Sequence, residues 1–250
     1  MIPIKNTEQL KKMRIAGRIT GEALLVAEEA IRPGISTKAL DEVIRHYIEK
    51  CGARPTFLGY GGFPGAACIS INEEVIHGIP SADRLLKEGD IVKVDVGASI
   101  HGFTGDAART FPVGQITPEA TALIQATRES FFRAAAMALS GNRIGDVGHA
   151  VESYVQPLGY TVVRKYVGHG VGAELHEDPE VPNFGTPGRG PRLFPGMTIA
   201  IEPMVNAGGA DVRVLANHWT VVTSDCSLSA HYENTVAIGE NGPELLTYIR

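Results

Sequence analysis

The sequence predicts an α+β protein in which one structural unit is used twice. Helix-type and strand-type periodicity come in blocks, two helices and then strands, and that order occurs twice. Residues also agree at a constant offset of 107: Gly34 with Gly141, Leu40 with Val147, Ile44 with Val151, Tyr47 with Tyr154, and Gly52 with Gly159. At the same offset "GDIVKVD", from Gly89, falls on "GMTIAIE", from Gly196, and Asp95 lands on Glu202 without a gap. The expectation is one domain over 1–250, with halves of approximately 1–115 and 116–250 about a pseudo-twofold axis. A cleft between the halves is the natural place for a site.

Each element follows from its local pattern. Residues 7–31 carry Ala, Leu and Ile at three- and four-residue spacing up to "RPG", with Thr7 ahead of "EQL" as the cap. Ser36 or Thr37 opens a second helix, "KALDEVIRHYIEKCG", closed at Gly52. The runs "ACISIN", "DIVKVDVGAS" and "FTGDAARTFPVG" are of β type, and the last two read as a hairpin turning near Ile100–His101–Gly102. In the second half a long helix covers roughly 118–139 and a shorter one about 145–158. Strand-type runs resume at "YTVVRKYVGHG" and continue through "MTIAIEPMV", "WTVVT", "SLSAHYENTVAIG" and "PELLTY". Between them the Pro- and Gly-rich "EDPEVPNFGTPGRGPRLFPG" reads as an ordered surface loop.

Composition narrows the function. At 250 residues and 44% apolar, the chain can bury a full core. The net charge of −5 is spread along the sequence, with no basic run or aromatic-interleaved basic stripe, which argues against nucleic acid and anionic membranes as partners. The N-terminal "MIPIKNTEQLKKMRIAG" lacks a signal-peptide core, and no apolar run reaches transmembrane length. Cys51, Cys68 and Cys226 are odd in number and share no CxxC spacing, as expected of a reduced, cytoplasmic chain with small buried thiols.

The chemistry starts in "VKVDVGASIHGFTGDAARTF". Its turn would make Asp95 and Asp106 near cross-strand neighbours, and two carboxylates held together in an apolar hairpin repel. Either that face is solvated, or one Asp keeps its proton, or a cation sits between them. Glu202 ends the apolar strand "TIAIEPM", Glu233 is embedded in "SAHYENTVAIG", and His169 is flanked by glycines in "YVGHGVG". Four ionised carboxylates beside a neutral imidazole are balanced by two divalent cations, and oxygen-rich ligation with one imidazole suits Mn, Fe, Co or Zn. Such a pair of ions is a device for hydrolysis. His77 in "VIHGIP" and His176 in "ELHEDP" can each donate to a developing oxyanion or hold a scissile amide. His46, His101, His149 and His218 read as ordinary turn or helix-surface histidines.

With these residues in place, the chain resembles the methionine aminopeptidases, the pita-bread metallopeptidases that remove initiator Met. The resemblance rests on "VDVGASIHGFTGDAARTF", "GHGVGAELHEDP", "IEPM", "SAHYENT", "HGIP" and "ISTKALDEV", and it covers essentially the whole chain. It implies that Asp95, Asp106, His169, Glu202 and Glu233 bind two metal ions, with Asp106 and Glu233 bridging. It also implies that Glu202 shuttles a proton to the leaving amine, that His77 contacts the scissile amide, and that His176 stabilises the carbonyl oxygen. Tyr60, Phe63, Cys68, Leu175 and Trp219 match the family's pocket for the Met side chain, and aromatic and sulfur surfaces suit a thioether.

Some positions depart from the pattern. Leu175 stands where many relatives carry Phe, and Ile76 and Phe57 stand where Cys or Thr, and Cys, are common. The chain shows no zinc module, no Pro-rich extension and no inserted helical subdomain between Glu202 and Glu233, as in the short type 1, bacterial-style enzymes. The resemblance further implies the N-terminal Met of nascent polypeptides as the partner, transient proximity to the ribosome, and a monomer. Two rivals share the fold. A prolidase or aminopeptidase P usually carries a large extra N-terminal domain, and a metal-free pita-bread binding protein loses ligands that are present here.

Overall fold

The computed structural model describes residues 1–249. Four long helices cover antiparallel sheets: α1 (Thr7–Ala30), α2 (Thr37–Lys50), α3 (Pro118–Met137) and α4 (Ile144–Val155). The cap of α1 is Asn6 rather than Thr7. The Asn6 side chain accepts from the Gln9 backbone, and the Gln9 side chain accepts from the Asn6 backbone, so two orphan donors are satisfied reciprocally. Ser36 caps α2 through the Ala39 amide.

The offset of 107 recurs in the backbone. Helices α1 and α3 end at Ala30 and Met137, and α2 and α4 begin at Thr37 and Ile144. The Gly34 amide donates to Leu86 O at 2.7 Å, and the Gly141 amide to Leu193 O at 2.9 Å. Single bridges join Ser36 to Leu85 and Arg143 to Arg192. One apolar core holds Ile19, Ile44, Ile69 and Val94, and a second holds Leu123, Val151, Ile199 and Val236.

The central ladder repeats as well. In the first half Ile91–Ile100 pairs with Phe103–Pro112. The turn is the two residues His101 and Gly102, at φ 54° and 77°, the positive-φ pair that a tight hairpin following strand twist requires. In the second half Thr198–Ile201 pairs with Asn234–Ile238, and Met204–Asn206 pairs with Ser229–His231. That ladder is interrupted at Glu202–Pro203, because Pro203 has no N–H to donate. The expected continuous runs "MTIAIEPMV" and "SLSAHYENTVAIG" are thus each broken at a carboxylate.

Two further expectations need correction. The Pro- and Gly-rich segment after His176 is not all loop, since Glu177–Val181 is an edge strand against Gly168–Gly170. Of the three cysteines only Cys68 is buried; Cys51 is partly so and Cys226 is exposed, all three free. Among the described residues no helix is long and apolar enough to cross a membrane.

Candidate active site

The first hairpin delivers the two aspartates. Its register sets Asp95 opposite Ala108 and Gly97 opposite Asp106. The aspartates are therefore diagonal neighbours on one face, two positions apart rather than directly opposed. Asp106 is nearly inaccessible at 3% exposure and Asp95 is partly buried. Glu202 ends the strand Thr198–Ile201, with its carbonyl held by the Asn183 side chain at 2.9 Å. Glu233 sits in the ladder break and donates its amide to Ala108 O at 2.9 Å. The buried Arg109 guanidinium holds this turn from behind. It donates to the Glu233 carbonyl and to Asn234 Oδ1, and stacks 4.1 Å over the Tyr232 ring.

His169 closes the group. Its Nδ1 lies 2.8 Å from the Gly170 carbonyl oxygen, which can only accept, so Nδ1 carries the hydrogen and Nε2 presents a lone pair. That Nε2 stands 3.6 Å from Asp106 Oδ2 and 3.5 Å from Glu202 Oε1. Asp106, His169 and Glu233 each offer a ligand atom within 4.8 Å of the others. Burial, and then the charge of His176, lowers the His169 pKa to about 4, so the ring is neutral at pH 7, as a ligand must be.

The carboxyls are under opposite pressure. Burial pushes Asp95 up to about 7. Burial raises Asp106 well above the ordinary range, and the charge of Asp95 adds to it. Glu202 is raised by burial and then by Asp106 and Asp95, and Glu233 by burial and then by Asp106, Glu202 and Asp95. Asp95 Oδ1, Asp106 Oδ1 and Glu233 Oε1 are buried without any hydrogen-bond partner. Four mutually repelling carboxyls, three of them with an orphaned oxygen, beside an imidazole lone pair fit divalent cations.

These groups form one side of a cavity of about 200 Å³. All the residues singled out in the sequence meet there, including Ile76 and Phe57. Phe57, Phe63, Cys68 and Leu175 pack as one buried apolar cluster with Trp219 against it, and the Phe63 and Trp219 rings meet edge-on at 5.1 Å. Cys68 pairs directly with Asp95 across the strands, so pocket and carboxylates adjoin through the backbone. Burial, chiefly, keeps its thiol protonated. Tyr60, which is exposed, shares a 2.7 Å hydrogen bond with His176 Nδ1. The His176 ring stands 4.3 Å from that of His169.

His77 occupies a strained backbone position at φ 59°. Its neighbour Gly78 is obligatory, since a Cβ there would lie 2.1 Å from Ile69 O. Burial first, then His176, lowers the His77 pKa to about 4. His46, His101, His149 and His218 are exposed and lie apart from the cavity. Sequence reasoning missed Tyr166, which lines the cavity, and His231, a fully buried imidazole next to the carboxylates. The available signal was that "SAHYENT" places a second histidine on a β-type run two residues before Glu233.

The arrangement has close counterparts. The profile described as metallopeptidase family M24 matches residues 11–240. A methionine aminopeptidase of Clostridium acetobutylicum is 58% identical over 99% of each chain. Methionine aminopeptidase 1 of Bacillus subtilis is 49% identical over 100% of each. The crystal structure of a methionine aminopeptidase from Thermotoga maritima superposes with a TM-score of 0.98 at 46% identity, covering 100% of both chains. A prolidase of Pyrococcus furiosus shares the pita-bread fold, at a TM-score of 0.79 and 24% identity, over 99% of this chain and 66% of its own. On the full-length match and the shared fold, the chain belongs to metallopeptidase family M24.

Proposed function

We propose that the chain hydrolyses the N-terminal methionine from nascent proteins and peptides, using two divalent ions, and favours a small second residue. One observation carries this reading: four buried carboxylates and the His169 lone pair line one side of a cavity whose other wall is aromatic and sulfur-bearing. Full-length relatives named methionine aminopeptidase support it. In this reading Asp95, Asp106, His169, Glu202 and Glu233 hold the ions, with Asp106 and Glu233 shared between them. Ions of Co, Mn, Fe or Zn type bound there would supply an activated water near neutral pH and Lewis acidity toward the scissile carbonyl.

The side chains do the rest. Phe63, Cys68, Leu175 and Trp219 take the Met thioether side chain. Neutral His77 hydrogen-bonds the scissile amide. Tyr60 fixes the His176 tautomer by donating to Nδ1, which leaves Nε2–H to donate to the carbonyl oxygen as it gains charge. Glu202 takes a proton as the bond forms and passes it to the leaving amine. The working protein is a monomer in the cytoplasm that meets its substrates near the ribosome.

The test is release of Met from Met-Ala-Ser by protein of measured metal content, with X-Pro peptides as the rival substrates. Met release that chelator abolishes and divalent ion restores is expected. Cleavage of X-Pro peptides alone, or purified protein with neither bound divalent ion nor peptidase activity, overturns the proposal.

A further inference from the structure

A cavity on the far side of the first hairpin has no role in the proposed hydrolysis. It measures about 230 Å³, and none of the residues lining it lines the cavity with the carboxylates. It lies where the halves meet, bounded by α1 from the first, α3 from the second, the end of the strand Phe103–Pro112 and residues 247–249. Arg109 comes three residues after Asp106 on that strand, and so faces the opposite side. Glycines let the walls close. A Cβ on Gly17 or Gly21 would lie 2.4 Å from Leu246 O or Thr247 O, so the C-terminal segment could not pack on α1. Thr247 is pinned in turn, its hydroxyl accepting from the Thr235 amide at 3.1 Å and donating to Asn234 Oδ1 at 3.0 Å. The walls are therefore set before any ligand arrives.

The polar groups of this cavity lack partners. Its charged lining residues are Arg109, Arg128 and Glu28. Among the described residues neither guanidinium pairs with a carboxylate, unlike Arg14, which grips Glu244 through Nε and Nη2. Arg109 meets only neutral oxygens, the Ala108 and Glu233 carbonyls and Asn234 Oδ1. Those bonds leave two of the five guanidinium N–H donors free, the one on Nε among them. The hydroxyl of Tyr232, a residue only 6% exposed, is likewise unpartnered among the described residues. Neither group is sealed in the interior as Asp106 Oδ1 is, and both residues line the cavity. Free donors on an enclosed cation beside a free hydroxyl suit an oxyanion, which would satisfy both. Apolar side chains, Leu24, Leu25, Phe111 and Ile124, supply much of the remaining lining. An apolar cavity of about 150 Å³ is enough for benzene, so this one has room for a ring with a charged group beside it.

We propose that this cavity binds a small organic carboxylate, with its oxygens on Arg109, Tyr232 and Arg128 and its apolar body against Leu24 and Ile124. Two guanidinium groups against the single carboxylate of Glu28 favour a ligand with one negative charge. The site stands apart from the metal centre and does not depend on how that centre is read. The two are joined mechanically, because the guanidinium that would hold the ligand also holds the Glu233 carbonyl.

Benzoate is the probe, added to the full chain with labelled Leu and Ile methyl groups, and benzamide is its neutral isostere. Nuclear Overhauser contacts from the benzoate ring to the methyls of Leu24, Leu25 and Ile124 are expected. The methyls of Ile76 and Leu175 report the carboxylate cavity separately, where benzoate could meet a bound ion. Tyr232→Phe, which removes only a hydroxyl, should weaken benzoate at the far cavity by about tenfold or more. Arg128→Gln, at an exposed position, should weaken it by about 2–5-fold, and Glu28→Gln should tighten it. Contacts to Ile76 and Leu175 alone, no contacts at millimolar benzoate, or benzamide binding as tightly as benzoate overturns the proposal. Should Tyr232→Phe not fold, the two exposed helix variants decide, and equal benzoate affinity in both overturns it as well.

Discussion

A site selected to hold cations should destabilise the protein that lacks them, and Asp95 lets the size be worked out. Its folded-state pKa is about 7 against an ordinary value of 3.8, with burial as the cause. An acid whose folded pKa stands above its unfolded value binds more protons folded than unfolded. The stability it contributes is intact below about 3.8 and is lost as pH rises through about 7. At 1.36 kcal/mol per pKa unit, ionising Asp95 in the metal-free protein costs about 4 kcal/mol. Asp95→Asn removes that cost in the metal-free fold, and the other three carboxyls then repel one fewer charge. The melting temperature of chelated Asp95→Asn should exceed that of chelated wild type at pH 8.5, by at most about 8–16 °C for a chain of this size. The gain should shrink steadily toward pH 4.5. Added divalent ion should reverse the order, stabilising wild type more than the variant. Differential scanning calorimetry across that pH range is the assay. A chelated variant that melts at or below wild type at pH 8.5, or a gain that does not depend on pH, would refute the reasoning.

Three other outcomes are expected. Glu233→Ala should lose at least one ion by elemental analysis and abolish Met release, and wild-type turnover in it would remove Glu233 from the centre. His176→Ala should lower kcat while leaving metal content unchanged; loss of metal would make His176 a ligand instead. Gly78→Ala, whose Cβ would meet Ile69 O at 2.1 Å, should displace the strained His77 backbone. It should lower stability by about 1–3 kcal/mol as read by denaturant melts, and lower kcat/KM with metal content kept.

Much of this was legible in the sequence because its causes are local. Periodicity and turn chemistry gave the helices and the hairpin around His101–Gly102, and the 107-residue offset located matching backbone in both halves. That Asp95, Asp106, Glu202 and Glu233 meet at one cavity was legible because carboxylates in apolar strands are costly without a partner. What escaped depends on contacts across the fold. The edge strand Glu177–Val181 lies in a Pro- and Gly-rich run, and it forms only because Gly168–Gly170 offers a ladder. His231 looked like part of a β-type run, and its place depends on Glu202, Glu233 and Thr110 converging from distant positions. The place of Arg109 likewise depends on Tyr232 and the Glu233 carbonyl, which enclose it only in the fold.

The two ladders differ most in how they turn. The first closes with two residues, whereas the second leaves at Asn206 and returns at Ser229, and the intervening excursion carries the strands Val212–Val214 and Val221–Thr223 together with Trp219. A twofold cage has no front or back, but a peptide has an amino end and a carboxyl end. Direction must therefore come from whatever breaks the symmetry, and this excursion is the largest such break. Variation within it can change which side chain is admitted and which way the chain enters, while the repeated ladders keep the carboxylates where they are.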